Sequence, residues 1–317
     1  MMTTTHLLLS ATLLLAPDPE RELVYGSNAD GDYDLYCSRP NGADPVRLTH
    51  LEGDETWPRW SPDGKRVLFC WERDGKSDLA TIDAAGKDEV VLLTNDGLTF
   101  EGAWSPDGKR VVFRSARDGN DELYVQTVGK NDARRLTFDP ASDWGPDWSP
   151  DGTSIVYATA SPELEAIARV PAAGGERTIL TDMEGEESCP RWSPDGSLIA
   201  YNAHPGGPSN EIFVMEPDGM NPRRLTFDTE VDRYVTSFSP SWSPDGKQLT
   251  YTVMTQSNLD LYAIDAKGGE RRRLTSLPGA ESRSDWRALP VVETGRAPVG
   301  RDTPDRKADA PKEDAGS

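Results

Sequence analysis

Residues 60–69 read WSPDGKRVLF, and the same succession returns as WSPDGKRVVF at 104–113, WSPDGTSIVY at 148–157, WSPDGSLIAY at 192–201 and WSPDGKQLTY at 242–251. In Ser-Pro-Asp-Gly, proline presets φ for the second position of a β-turn, aspartate can bond its own backbone, and glycine accepts positive φ. Each copy is therefore hairpin punctuation between a strand that ends on tryptophan and an apolar run of strand length. Trp60, Trp104, Trp148 and Trp192 stand 44 residues apart, the next interval is 50, and Trp286 follows Trp242 by 44 without an SPDG of its own. Six registers result, and a fixed period of this length marks a repeat architecture.

Between the tryptophans a further strand recurs as DLYCS (34–38), DLATI (78–82), ELYVQ (122–126), EIFVM (211–215) and DLYAI (260–264), with the alternation of a β-strand. A short fourth strand closes each unit on RLT at 47–49, 135–137, 224–226 and 273–275, or on LLT at 92–94 and ILT at 179–181. Four short antiparallel strands in about forty-four residues describe a propeller blade, which buries its faces only against neighbours. The sequence predicts an all-β, six-bladed β-propeller over residues 19–289. Residues 21–49 hold only the second to fourth strands of a unit, and SDWRAL at 284–289 supplies the missing first. One blade is thus closed by the C-terminal strand joining the N-terminal three, which removes two exposed sheet edges.

The succession W-SPDGK, D-L-Y-V and R-L-T, carried by the residues quoted above, resembles the TolB-type propeller repeat. That resemblance implies a six-bladed ring in the cell envelope whose funnel receives a protein partner. Propeller domains attached to prolyl-oligopeptidase-type hydrolases share the repeat, so the resemblance speaks more sharply to fold than to function.

The composition narrows the function. With 54 acidic against 34 basic residues the formal charge is -20, a field that repels phosphate backbones and excludes nucleic acid as a partner. Cys37, Cys70 and Cys189 are too few, and odd in number, for a disulfide framework. His6, His50 and His204 are the only histidines, and no G-x-S-x-G elbow occurs, so neither a Ser-His-Asp triad nor a histidine-rich metal site can be assembled. No catalytic residue and no metal ligand is assigned. A carboxylate-dependent hydrolase or lyase acting on a carbohydrate or small substrate is the alternative reading, with calcium as the one cofactor the acidity leaves open.

The apolar run at 7–16 is too short to span a bilayer and fits the core of a signal peptide, so residues 1–18 are expected to be a signal peptide or a disordered leader, with no transmembrane segment. Residues 290–317, rich in Pro, Asp, Lys, Arg and Ala, are expected to be a disordered charged tail. The reading is an exported, monomeric, non-catalytic binding protein of the cell envelope.

Two sets of recurring acids have structural explanations. The SPDG aspartates Asp63, Asp107, Asp151, Asp195 and Asp245 suit turn bonding, and Asp34, Asp78, Glu122, Glu211 and Asp260 suit ion pairs with Arg47, Arg135, Arg224 and Arg273. Recognition is expected instead where the repeat varies, in the segments entering each tryptophan strand. These carry Glu55, Trp57, Phe100, Glu101, Asp143, Trp144, Glu187, Phe238 and Arg283, with Tyr234 in a longer loop before Trp242. Acids and large aromatics on one channel mouth suit a protein or peptide partner with a basic segment.

Overall fold

The computed structural model describes residues 20, 22–84, 90–162, 164–181, 185–204, 206, 209–227 and 235–288. The expected leader, the expected tail and Tyr234 lie outside the described residues. The chain opens with β1 (Leu23–Ser27), β2 (Asp34–Ser38) and β3 (Val46–Arg47). There follow β4 (Asp54–Trp60), β5 (Arg66–Arg73), β6 (Lys76–Asp83) and β7 (Val91–Leu92), then β8 (Thr99–Trp104), β9 (Arg110–Ser115), β10 (Glu122–Thr127) and β11 (Arg134–Arg135). The next set is β12 (Ser142–Trp148), β13 (Ser154–Ser161), β14 (Leu164–Pro171) and β15 (Thr178–Ile179), and after it β16 (Glu187–Trp192), β17 (Ile199–Ala203), β18 (Glu211–Met215) and β19 (Arg223–Arg224). Last come β20 (Thr236–Trp242), β21 (Gln248–Met254), β22 (Leu259–Asp265), β23 (Arg272–Arg273) and β24 (Glu281–Trp286).

These strands form six four-stranded antiparallel sheets, five of them consecutive in sequence and the sixth ordered β24-β1-β2-β3. The predicted closure is the one that forms, with Leu23 opposite Trp286 and Ser27 opposite Glu281. No helix occurs among the described residues, and none is therefore long and apolar enough to cross a membrane.

Alternation along the inner strands sorts side chains between two cores rather than between core and solvent. All five residues of β1 and all five of β2 are buried. Val24, Leu35 and Cys37 pack with Trp60, Val67 and Phe69 of the following blade, while Leu23, Tyr25 and Tyr36 pack with Trp286, Leu261 and Ala263 on the other side. A blade wedged between neighbours has two hidden faces, so its central strands carry few polar residues at either register.

The SPDG aspartates act as turn residues. Ser61 donates to Asp63 at 2.6 Å, Ser105 to Asp107 at 2.6 Å and Ser193 to Asp195 at 2.7 Å, and the same oxygen accepts the backbone N–H two residues on. These bonds from the serine hydroxyl and the backbone hold Asp107, Asp151, Asp195 and Asp245 below the usual carboxylate range. The RLT strands are held by a second device. Thr49, Thr94, Thr137, Thr181, Thr226 and Thr275 each accept, through Oγ1, the backbone N–H of the facing third strand at Leu35, Leu79, Leu123, Ile167, Ile212 and Leu261. Where arginine precedes, it completes the clasp, as in Arg47 with Asp34 at 2.7 Å and Arg273 with Asp260 at 2.6 Å. Leu92 stands at that place in the second blade, and Asp78 turns instead to Arg73 at 3.7 Å and the N–H of Gly97 at 3.0 Å.

Candidate functional site: the central channel

The first strand of each blade, ending on its tryptophan, lies innermost, and β4, β8, β12, β16, β20 and β24 meet one another around the axis. Every one of them is bulged, so that one residue more stands on the first strand than on the second. At the bulge, three residues before the tryptophan, all six strands turn left-handed: Trp57 (φ 54°), Glu101 (φ 37°), Gly145 (φ 62°), Cys189 (φ 53°), Ser239 (φ 53°) and Arg283 (φ 55°). A side chain in this region costs about 1–2 kcal/mol per residue, and glycine meets the demand only once in the ring. Among the described residues, the other non-glycine positions with positive φ, Asp44, Asp74 and Asn221, are of the Asp and Asn types that tolerate it. Bulges re-aim side chains, and here they aim a ring of unlike residues at the axis, where Trp57, Glu101, Gly145, Ser239 and Arg283 line one pocket with Arg59 and Arg191.

The nine candidate residues separate by register. Glu55, Asp143 and Glu187 stand five before their tryptophans and are 0–2 % exposed, hidden between blades instead of displayed on a mouth. Burial pushes the Glu55 carboxyl up to about 8 and Asp143 up to about 7, against a smaller opposing pull from neighbouring threonines. Glu187 accepts the hydroxyl of Thr181. Phe100, Trp144 and Phe238 stand four before and are half-buried. Trp144 packs against the core shared with Tyr201 and Phe213, and the Arg114 guanidinium lies 5.0 Å from the Phe100 ring centre. Trp57, Glu101 and Arg283, three before, reach the channel. The Arg283 guanidinium covers the Trp57 ring at 4.0 Å. Glu101 accepts the Gly145 N–H at 2.8 Å, faces Arg114 at 3.6 Å, and is raised above the ordinary range by burial.

One tier deeper, directly before each tryptophan, the ring reads Arg59, Ala103, Asp147, Arg191, Ser241 and Asp285. Arg59 crosses the axis to pair with Asp147 and approaches Asp285 at 3.7 Å. The other oxygen of each aspartate accepts a backbone N–H from the next blade, that of Trp192 at 2.9 Å and that of Trp60 at 2.7 Å. Burial works against the charge on Arg59, yet Asp147 and Asp285 hold it above its ordinary value, whereas burial and the facing Arg59 push Arg191 below its own. None of these six residues is among the candidates read from the sequence. The signal was the alternation of charge obtained by stacking the six residues that precede tryptophan.

Of the candidate acids, Glu55, Asp143 and Glu187 are buried between blades, and Glu101, in the channel, is engaged by the Gly145 N–H and Arg114. Among the described residues no three His, Cys, Asp or Glu side chains gather as a metal site.

A family profile described as the TolB beta propeller domain matches residues 4–234. The Tol-Pal system protein TolB of Legionella pneumophila is 35% identical over 75 residues, which are 23% of this chain and 17% of that protein, so the match spans under a fifth of the relative's length. Among solved structures, TolB from Acinetobacter baumannii superposes with a TM-score of 0.73 at 23% identity, covering 85% of this chain and 67% of its own. The putative TolB from Agrobacterium tumefaciens gives 0.66 at 21% identity, covering 84% of this chain and 98% of its own. At these identities the structures speak for the fold.

Proposed function

The chain belongs to the TolB β-propeller family, and from that premise we propose that it is an exported, non-catalytic binding protein of the cell envelope that recognises a protein partner through the mouth of its channel. The observation that carries this reading is the ring of left-handed residues. Five non-glycine side chains are held in a costly conformation at equivalent places around one axis, and strain of this kind is retained where the surrounding fold fixes it for use. Trp57, Phe100, Trp144 and Phe238 give that mouth rigid, half-buried aromatic surface, the sort that anchors a partner. The net charge of -20 draws toward it a partner with a basic surface, which acts on encounter rate more than on final affinity. The reading needs no cofactor.

Photo-crosslinking in intact cells tests it. A benzoylphenylalanine placed at Phe238, beside the channel, should yield a discrete protein adduct, and one placed at Asp195, in an SPDG turn, should not. Indistinguishable adducts from both positions would reject recognition at the mouth.

A further inference from the structure

The channel's arginines hold more hydrogen-bond donors than the protein satisfies. A guanidinium carries five N–H groups in a fixed fork. Arg59 spends Nη2 on Asp147 and turns Nε toward Asp285, while its Nη1 is buried without a partner. Arg283 covers Trp57 with its face, and its Nε is likewise buried and unpartnered. Arg191 donates to the carbonyl of its neighbour Pro190 at 3.0 Å. Neither Arg191 nor Arg283 has a carboxylate at ion-pair distance among the described residues.

The carboxylates nearby are committed. Asp147 is taken by Arg59 and the Trp192 N–H, and Asp285 by the Trp60 N–H at 2.7 Å and Ser241 at 3.3 Å, with Arg59 beyond. Glu101 accepts from Gly145 and faces Arg114, which also binds Asp121 at 2.8 Å. Proline at 58, 146 and 240 removes backbone donors from the same lining, so the guanidinium groups dominate its unmet donor capacity. A buried donor without an acceptor costs about 1–3 kcal/mol, and a carboxylate offers two oxygens that match the fork.

Resting on the channel reading above, the geometry points to a carboxylate-binding subsite at the channel floor: Arg191 and Arg283, with the free Nη1 of Arg59, receive the acidic side chain of a segment that the partner inserts along the axis, against the Trp57 wall. The partner then carries a glutamate or aspartate at its inserted tip, whatever the sign of the surface surrounding it. The aromatic wall grips the stem of that side chain and the arginines its end.

The test uses the full chain, with a fluorinated indole at position 57 observed by NMR, and four short probes. Acetyl-Gly-Glu-Gly-amide carries one side-chain carboxylate. Acetyl-Gly-Gln-Gly-amide and acetyl-Gly-Lys-Gly-amide are its neutral and basic counterparts. Acetyl-Gly-Gly-Gly with a free C-terminus offers a main-chain carboxylate. The glutamate probe should bind roughly tenfold more tightly than the glutamine probe, the scale of a charge-assisted hydrogen bond, and should weaken as salt is added. Arg283→Gln and Arg191→Gln should each abolish that preference, with Arg283→Lys restoring part of it. Arg191→Gln removes a repulsion with Arg59, so the fold should survive it, and the less confined Arg283 gives a second route. Equal binding of the glutamate and glutamine probes, tighter binding of the lysine probe, or a preference that persists in both variants would overturn the subsite. A free C-terminus that binds better than the side-chain carboxylate would overturn the assignment to an acidic side chain. The adduct at Phe238 reports independently on the function: if it forms while the glutamate preference is missing, recognition at the mouth stands and the subsite alone falls.

Discussion

Glu55 is fully buried, and among the described residues no group meets either carboxyl oxygen at full hydrogen-bond geometry, the Thr49 hydroxyl giving only a weak pull. The second strand of its blade offers Phe69 where Tyr25 and Tyr157 stand in the blades of Glu281 and Asp143, yet among the described residues those acids and hydroxyls likewise lack partners at full hydrogen-bond geometry. Burial pushes Glu55 up to about 8, from an ordinary 4.5. In the folded chain the group is therefore protonated at neutral pH, while in the unfolded chain it is ionised. Folding takes up a proton, and the resulting stability is fully present below pH 4.5 and is lost as pH rises through about 8. Burial also raises Asp143 and Glu281, each to about 7, so they add to the same trend over a slightly lower window. Glu55→Gln removes the ionisable group and keeps its shape. Its melting temperature should lie close to the parent's near pH 5 and exceed it by roughly 10 °C or more at pH 9, a shift of this size being worth about 5 kcal/mol at about 2–4 °C per kcal/mol. A parent chain whose melting temperature rises steadily from pH 5 to pH 9, with the variant parallel to it, would show that the buried carboxyl has no such effect.

At the scale of the strand, the fourth strand of each blade is only two residues long, and its hold comes from the threonine that follows it. Thr137 accepts the Leu123 N–H at 3.0 Å and donates to Glu122 at 2.6 Å, with Arg135 on the same carboxylate. Thr137→Val keeps the volume but leaves the Leu123 N–H and a Glu122 oxygen without their partner. The expected cost is about 1–3 kcal/mol, read as a lower midpoint in urea with an unchanged slope; a midpoint equal to the parent's would mean that the clasp contributes nothing. These strands and clasps were legible in the sequence because RLT, SPDG and tryptophan recur, and the ion pairs of Asp34 and Asp260 followed from the recurrence of their arginines. The channel was less legible. Spacing from tryptophan shows that Glu55, Thr56 and Trp57 are near the same mouth, but a bulge decides which of three successive residues faces the axis. Its left-handed residue is glycine only at Gly145, so no glycine pattern announced it. The bulge sends Glu55 between blades and Trp57 into the channel, which is why Glu55, Asp143 and Glu187 are buried and the channel is lined by Trp57, Glu101, Arg283 and the arginines one tier below.

At the scale of the whole molecule, the ring has one seam, closed by the pairing of β24 and the residues beside it with the N-terminal strands. β24 pairs with β1 from Leu23 to Ser27, and the Arg287 N–H reaches the Glu22 carbonyl at 2.6 Å. Its Asp285 accepts the Trp60 N–H and faces Arg59, so the same residue joins the seam to the ion network of the channel. Trp286 fills the core with Leu23, Tyr25 and Leu261, and its indole donates to Thr250 at 3.0 Å. Burial of one tryptophan contributes about 4–6 kcal/mol gross, comparable to the whole net stability of an ordinary domain at about 5–15 kcal/mol. A chain ending at Ala280 loses this tryptophan, the pairing of β1 and a counter-charge of Arg59 together, and it exposes the unpaired edge of β1, which invites association. It should melt far below the full chain, elute from gel filtration as larger species, and lose the Phe238 adduct along with the ring. A monomer ending at Ala280 that melts with the full chain would mean that five complete blades hold the ring without the sixth being closed. The intermediate case is informative at finer grain: Trp286→Ala in the full chain keeps the strand and Asp285, so its loss should be smaller than that of the deletion, and the difference between them measures what the seam pairing and the Asp285 contacts add beyond the tryptophan core.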